Sequence, residues 1–257
     1  FGRGAWPALT YPLGDGHQVL LRGRVDRIDH LPVADRQYQL VIVYKSSNRS
    51  FDLVKAASGL DLQLVTYLAA LKQHSADPLA GAFYLHLNDP VVSLKGRTKN
   101  WGDYERFEHR YQGLVLDDPE LLRLLDQGIG QDKAGLLLRA GFKKKTGQIT
   151  ASQGSALFTP AELDWLLNHN RDLITAAARA IFAGEIDLAP YRYTSGSTTE
   201  TGLTLGKVAN PYLPIFAFDN VLDQDKFREI KLTEAAFKEQ MQADIADDGK
   251  EDDNGKL

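Results

Sequence analysis

The sequence contains no cysteine, and this absence excludes two kinds of structure. Disulfide bonds cannot form, and thiolates cannot hold a metal ion or an iron–sulfur cluster. A chain without cysteine suits a reducing compartment, so we expect a cytoplasmic location.

Long apolar runs are absent as well. No run approaches the roughly 18 residues that a membrane helix requires, so we expect no membrane partner. No secretory signal is visible at Phe1, and the chain lacks an initiator methionine, so we interpret it as a fragment of a larger protein. The ATP-binding loop G-x-x-x-x-G-K-[ST] is also missing, so ATP hydrolysis would belong to other parts or other chains.

Most of the chain has no excess charge of either sign. The formal net charge of −4 equals that of residues 243–257, which contain six acidic residues and two lysines. We therefore divide the chain into one domain, residues 1–242, and an acidic tail, residues 243–257, which we expect to be disordered. A neutral body can still carry a local basic groove, so composition neither supports nor excludes nucleic acid.

The stretch from Gly23 to Tyr67 contains most of the functional information. The segments GRVDRIDH and QYQLVIVYKSS alternate like strands, with a turn between them. In the second strand, Val43 and Lys45 share one face, and Tyr44 belongs to the other. The segment GLDLQLVTY has leucines at helical spacing, so Gln63 and Tyr67 should project from one face of a helix.

Together these segments resemble the RecB-like branch of the PD-(D/E)xK nucleases. Within it, they are most similar to the C-terminal nuclease domain of the B subunit of AddAB/RexAB helicase–nucleases. The resemblance depends on Gly23 to Asp29, Tyr44 to Ser47, Phe51 to Leu53, Gly59-Leu60 and Gln63 to Tyr67. It covers most of the chain and implies an α/β fold, with a mixed central sheet flanked by helices and a C-terminal lobe.

The chemistry of phosphodiester hydrolysis explains the residue types in this pattern. A divalent metal activates water and offsets charge on the phosphate, and Mg²⁺ prefers oxygen ligands. A lysine beside the metal stabilises the anionic transition state. The resemblance implies Mg²⁺ or Mn²⁺ as cofactor, Asp26 and the Tyr44 carbonyl as ligands, and Asp26, Lys45, Gln63 and Tyr67 as the catalytic set.

The resemblance also implies DNA and the A subunit of the helicase–nuclease as partners. Candidate DNA contacts are Arg24 and Arg27 beside Asp26, and Ser46 and Arg49 in the polar loop that follows Lys45. A plain surface loop explains the segment from Ser46 to Ser50 equally well. Gln63 and Tyr67 also have an alternative role, since such pairs stabilise helices by packing.

The chain departs from the family pattern at one decisive position. The family's Asp-Tyr-Lys is Val43-Tyr44-Lys45 here, and valine has no side-chain donor for a metal. The further upstream family motif has no counterpart after Phe1. We therefore expect weak or absent metal binding and impaired activity.

The remaining segments complete the predicted fold. Leu79 to Asp89 alternates like a strand, and Asp118-Pro119 opens a short helix. Thr159 begins a capping box, and its helix should run to about Phe182, with Gly184 beyond its end. Arg192 to Gly206 is rich in serine, threonine and glycine and is interpreted as a loose loop, and a last helix should span Lys226 to about Ala243.

The segment from Asn210 to Asp219 resembles the place where many relatives have a cysteine cluster that binds iron and sulfur. Since cysteine is absent, we predict no iron–sulfur cluster. We expect this lobe to be packed instead by apolar side chains, namely Tyr212, Leu213, Ile215, Phe216 and Phe218.

Two other functions stay open beside a metal-dependent DNA exonuclease in double-strand break repair and recombination. A catalytically silent nuclease fold, retained for DNA guidance or subunit contact, is favoured by Val43. An unrelated α/β binding module would require the motif matches to arise by chance.

Overall fold

The computed structural model of the chain describes residues 1–4, 6–47, 49–87, 109–129, 135–142, 148–151, 155–205, 208–216, 218–219, 221–222 and 226–254. Its strands are β1 Leu9–Gly14, β2 His17–Leu21, β3 Arg27–Val33, β4 Arg36–Lys45, β5 Leu79–His86, β6 Gln112–Leu116, β7 Ala140–Phe142, β8 Ile149–Ala151, β9 Ser155–Phe158, β10 Tyr191–Ser195, β11 Thr198–Thr201, β12 Thr204–Leu205, β13 Val208–Ala209 and β14 Arg228–Ile230. Its helices are α1 Leu53–Ala57, α2 Gln63–His74, α3 Pro119–Leu125, α4 Pro160–Ala183, α5 Leu213–Phe216 and α6 Glu234–Asn254.

A five-stranded sheet with the order β3-β4-β5-β6-β9 forms the centre of the molecule. Strand β4 is antiparallel to β3 and parallel to β5, while β6 is antiparallel to β5 and parallel to β9. The sheet is therefore mixed, as the family resemblance implies. Because β4 and β5 run parallel, their carboxyl ends, at Lys45 and His86, lie at the same edge.

The middle of β4 is buried on both faces. Leu40, Val41, Ile42 and Val43 are each at most 2% exposed. This run has consecutive apolar residues because a strand covered on both sides needs them at every position. Helix α2 contacts β4 and β5, α3 contacts β3, and α4 contacts α2 and β9.

Local sequence signals fix the helix ends. The Thr159 side chain accepts a hydrogen bond from the Glu162 amide, and the Glu162 carboxylate accepts one from the Thr159 amide. The predicted capping box is therefore confirmed, and such an N-cap stabilises a helix by about 1 kcal/mol. Gly184 ends α4 in the left-handed region, with φ of 75°, and Asp118 caps α3, both at the predicted positions.

The prediction of a loose loop from Arg192 to Gly206 is wrong. Strands β10 and β11 form a hairpin there, and β10 also pairs with β14 in parallel. The polar composition of this segment hides its strand character, because threonine is β-branched and suits an exposed strand. The Ser195–Thr198 connection is tight, with Gly196 at φ of 59°.

The last helix begins later and ends later than its sequence predicts. Helix α6 starts at Glu234, after β14, and continues to Asn254, so the segment from Ala243 to Asn254 is helical rather than disordered. The physical reason is an apolar stripe, because Phe237 and Met241 are buried and Ile245 packs beside them one turn further on. Residues 255–257 lie outside the described residues, and the boundary between a 1–242 domain and a 243–257 tail stays a prediction.

The predicted apolar packing of the C-terminal lobe is wrong for two of its residues. Tyr212 is 58% exposed and Ile215 is 76% exposed. Phe218 does pack, edge-on against Phe227 at 4.9 Å between ring centroids. The lobe is held to the core mainly by polar contacts, since the Tyr193 hydroxyl donates to Asp52 at 3.0 Å and Lys55 binds Glu200 at 2.7 Å.

Candidate active site

The candidate site lies where β3 begins, β4 ends and α2 begins. Asp26 immediately precedes β3, and its Oδ2 accepts a hydrogen bond from the Tyr44 amide at 3.1 Å. The Asp26 side chain is 25% exposed. One oxygen is therefore fixed against the end of β4, while the carboxylate stays accessible from solvent.

Three of the four residues of the catalytic set implied by the resemblance, Lys45, Gln63 and Tyr67, form a continuous hydrogen-bonded chain. Lys45 Nζ donates to Gln63 Oε1 at 2.6 Å, and Gln63 Nε2 donates to the Tyr67 hydroxyl at 3.2 Å. Gln63 and Tyr67 meet because they lie one turn apart on α2. The structure thus brings Lys45, at the end of β4, together with Gln63 and Tyr67 on α2.

Partial burial affects the pKa of Lys45. Removal of its ammonium from water lowers the pKa of Lys45, and the nearby Arg49 guanidinium lowers it further. The carboxylates of Asp61 and Asp26 act in the opposite direction but do not reverse the shift. Lys45 is therefore a partly exposed cation whose pKa depends on burial and on these neighbouring charges.

Gly23 allows Tyr67 to reach this position. A Cβ atom on Gly23 would lie 2.8 Å from the Phe1 ring and 3.2 Å from the Tyr67 ring. These two rings meet edge-on at 5.9 Å between centroids. A side chain at Gly23 would therefore displace one of them.

Val43 stands at the position where the resemblance implies the second carboxylate. It is 2% exposed and belongs to the hydrophobic core, and Val43 pairs with Tyr84 on β5. Of the implied ligands, the Asp26 carboxylate and the Tyr44 carbonyl are left. Among the described residues, no three histidine, cysteine, aspartate or glutamate side chains form a group suited to a metal. The residues present therefore do not fit a firmly bound divalent metal.

The two arginines that flank Asp26 have different environments. The Arg24 side chain is 92% exposed, and its Nε lies 4.0 Å from Asp26 Oδ1. Arg27 instead holds Asp29 through two hydrogen bonds of 2.6 and 2.7 Å, and Asp29 raises the pKa of Arg27. Arg27 also lies 3.4 Å from the Tyr44 hydroxyl. Since Tyr44 and Lys45 point to opposite faces of β4, the structure does not bring Arg27 together with Lys45 and Gln63.

The loop after Lys45 contains the other two candidate DNA contacts. Ser46 is exposed at its start. The Arg49 guanidinium donates to Asp61 at 2.9 Å, and 43% of its side chain is exposed. His86 Nε2 lies 3.0 Å from the Arg49 amide and 2.8 Å from the Arg49 carbonyl, so the backbone of this loop is also held. His86 is therefore a hydrogen-bonded structural residue.

Sequence reasoning missed two residues that lie beneath the site. Asp61 is 7% exposed, and its Oδ1 accepts from both Arg49 and the hydroxyl of the fully buried Tyr84. Asp61 has a visible signal, because it is a lone carboxylate between Leu60 and Leu62 in an apolar run. Tyr84 has none, since an aromatic residue in a buried strand is ordinary.

Comparison with known proteins places these observations in a family. The profile of the PD-(D/E)XK nuclease superfamily matches residues 2–196. The chain is 40% identical over 252 residues to the B subunit of an ATP-dependent helicase/deoxyribonuclease from Limosilactobacillus reuteri (strain DSM 20016), a match that covers 95% of this chain and 19% of the relative. It is 35% identical over 240 residues to the protein of the same description from Desulforudis audaxviator, covering 88% of this chain and 19% of the relative.

A third relative aligns with similar shares of both chains. It is the B subunit of the ATP-dependent helicase/deoxyribonuclease of Limosilactobacillus fermentum, 39% identical over 261 residues, with 91% of this chain and 20% of the relative aligned. The chain therefore spans about a fifth of the length of these relatives.

Proposed function

Because the chain belongs to the PD-(D/E)xK nuclease superfamily, we propose that it is the DNA-binding nuclease domain of a helicase–nuclease, from the B subunit, with metal-dependent cleavage impaired by Val43. In the intact assembly it would act on DNA beside an A subunit, in double-strand break repair and recombination. The observation that carries the proposal is that Asp26, Lys45 and Gln63 lie at the end of β4, where the Val43 side chain is buried.

The arrangement supports descent from a working enzyme. Asp26 offers one accessible carboxylate, and Lys45 offers a charge for an anionic oxygen within reach of the same edge. Gln63 and Tyr67 fix that charge by hydrogen bonds. The apolar core does not need these contacts in order to fold. Partial burial of a lysine ammonium is costly, so its presence at the end of a strand favours a chemical role.

The arrangement also supports impairment of the reaction. Divalent cations such as Mg²⁺ are normally held by one or two carboxylates plus waters and substrate phosphates. Here Asp26 supplies one carboxylate, and position 43 holds a buried apolar side chain. Within the part of the chain that the structure describes, Asp26 belongs to no group of three or more side chains that could hold a metal.

A catalytically silent nuclease fold that guides DNA or contacts another chain of the assembly is the second candidate. Position 43 is the observation that favours it, because the Val43 side chain is integrated in the core rather than left at the surface. In that case Lys45 and Arg24 would bind phosphate without any cleavage.

A nuclease assay with end-labelled single- and double-stranded DNA in Mn²⁺ separates the two functions. Loss of a residue that supports a metal ligand commonly lowers metal affinity or activity 10- to 100-fold. Loss of a ligand itself should therefore slow cleavage by more than roughly 100-fold. Val43→Asp should restore cleavage, and Asp26→Ala in that background should abolish it again. DNA binding without cleavage in both forms would favour the silent fold, and efficient cleavage by the Val43 form would contradict impairment.

A further inference from the structure

We propose that Tyr84, anchored by Asp61, is a positioning residue that supports the Lys45 ammonium where Gln63 binds it. The inference concerns the same site as the proposed function, and its catalytic consequence rests on that function. Lys45 Nζ lies 5.0 Å from the centroid of the Tyr84 ring. A cation above an aromatic face at this distance is attracted by the electron-rich ring.

Strand pairing places the ring there. Tyr84 pairs with Val43 in the parallel β4–β5 register, and paired residues project from the same face of a sheet. Lys45 lies on the same face of β4, two residues further along. The ring is completely buried, so its interaction with Lys45 is little screened by water.

The hydroxyl group fixes the orientation of the ring. It donates to Asp61 Oδ1 at 2.9 Å, and Asp61 lies immediately before α2, the helix that carries Gln63. The Asp61 carboxylate therefore links the Tyr84 ring, which lies beneath Lys45, to the start of α2. Burial in the sheet, together with the negative charge of Asp61, raises the pKa of Tyr84, so the phenol stays protonated and can act as the donor.

Asp61 also controls the second cation near the ring. The Arg49 guanidinium lies 5.4 Å from the Tyr84 centroid and bonds to Asp61 at 2.9 Å. Two cations therefore share one ring, and the carboxylate neutralises one of them. Without Asp61, Arg49 would lose its partner and would compete with Lys45 for the ring and for phosphate. This assigns Arg49 to support of the site, in contrast to the DNA contact predicted from sequence.

The first test observes Lys45 directly and needs no activity. In protein with labelled lysine, the ε-methylene of Lys45 should show an upfield ring-current shift in its NMR spectrum. Tyr84→Phe keeps the ring but loses its hydrogen bond to Asp61, so it should keep part of the shift, whereas Tyr84→Leu should abolish it. Asp61→Asn, a milder change of similar shape, should reduce it. Thermal melts identify any variant that fails to fold, and absence of the shift in the parent or its survival in folded Tyr84→Leu would overturn the proposal.

The second test uses the Val43→Asp background. Tyr84→Leu and Asp61→Ala should lower kcat roughly 10- to 100-fold with little change in KM, since misplacing a reacting group by about 1 Å costs this much. Tyr84→Phe should lower kcat less than Tyr84→Leu does, because the ring remains beneath Lys45. Equal losses for Tyr84→Phe and Tyr84→Leu, or a change in KM alone, would overturn the positioning role. If Val43→Asp does not cleave DNA, the failure concerns the proposed function or the missing upstream motif, and the NMR result alone decides the position of Lys45.

Discussion

Val43 and Lys45 share one face of β4, yet their surroundings differ completely. Val43 is inside the core, and Lys45 is partly exposed at the end of the strand. A strand accepts valine readily, so the exchange of a carboxylate for valine costs no folding stability. The Tyr44 backbone amide holds the Asp26 carboxylate in place. Under the proposed function, loss of the second carboxylate removes chemistry and leaves the fold intact.

Arg24 provides a test of DNA contact at this scale. Its exposed side chain beside Asp26 should bind phosphate, so Arg24→Glu should weaken DNA binding and reduce the slope of log affinity against log salt by about 1. Arg27→Glu should have a smaller effect, because Arg27 is already held by Asp29. Fluorescence anisotropy across a salt series measures both.

Arg36→Glu is the matched control for these variants. Arg36 is an exposed arginine at the opposite end of β4, so the same charge reversal there should leave the salt slope unchanged. Similar losses of DNA binding for Arg24→Glu and Arg36→Glu would indicate a general charge effect and would contradict a DNA contact at Arg24.

At the scale of elements, the centre of the sheet depends on backbone approaches that only glycine permits. Gly81 in β5 has φ of 149°, and a Cβ atom there would lie 2.2 Å from the Leu114 carbonyl oxygen of β6. Gly113 in β6 approaches β5 in the same way, with a Cβ atom 2.0 Å from the Ala82 carbonyl oxygen. These contacts are with backbone, so no side-chain rotation can relieve them. They fix β5, and with it Tyr84 and His86.

Gly81→Ala should therefore destabilise the protein strongly. Both backbone strain and overpacking contribute, so we expect a loss of at least about 2 kcal/mol in the free energy of unfolding. Urea denaturation followed by circular dichroism measures it. Gly16→Ala is a suitable comparison, because Gly16 also has a positive φ, of 77°, but open space around its Cβ position, so this change should cost less.

Strong periodic or capping signals explain which elements could be predicted. The strand β4, the capping box at Thr159 and the Gln63–Tyr67 spacing each depend on neighbours in sequence, and all three are confirmed. The β10–β11 hairpin escapes prediction because a polar, threonine-rich strand resembles a loop. In the site, Tyr84 escapes prediction because only the pairing of β4 with β5 brings it to Lys45.

At the scale of the whole molecule, one chain joins a nuclease-type core to a small polar lobe. Strands β10, β11 and β14 form the lobe's sheet. Lys55 binds both carboxylate oxygens of Glu200 at 2.7 and 2.8 Å, and Asp52 binds Tyr193, so helix α1 is the attachment point. Within the described ranges, none of the helices is both long and apolar enough to cross a bilayer.

The absence of cysteine leads to a prediction about the iron content of the purified protein. Iron–sulfur clusters are held by cysteine thiolates, and this chain has none, so the purified protein should be colourless. Its thermal stability should not change when an iron chelator is added. Elemental analysis by mass spectrometry is the check, and iron present in stoichiometric amount would refute the prediction.

Mn²⁺ affinity of the protein, measured by calorimetric titration before and after Val43→Asp, tests the central claim most directly. The account predicts weak or undetectable binding to the Val43 form and at least roughly tenfold tighter binding to Val43→Asp, since a second carboxylate then faces Asp26. Val43→Asn, which has a similar shape without the charge, should gain much less. If the upstream family motif is dispensable, cleavage should return with the metal. Firm Mn²⁺ binding by the Val43 form that Asp26→Ala abolishes would contradict the account, because the second ligand would then lie elsewhere.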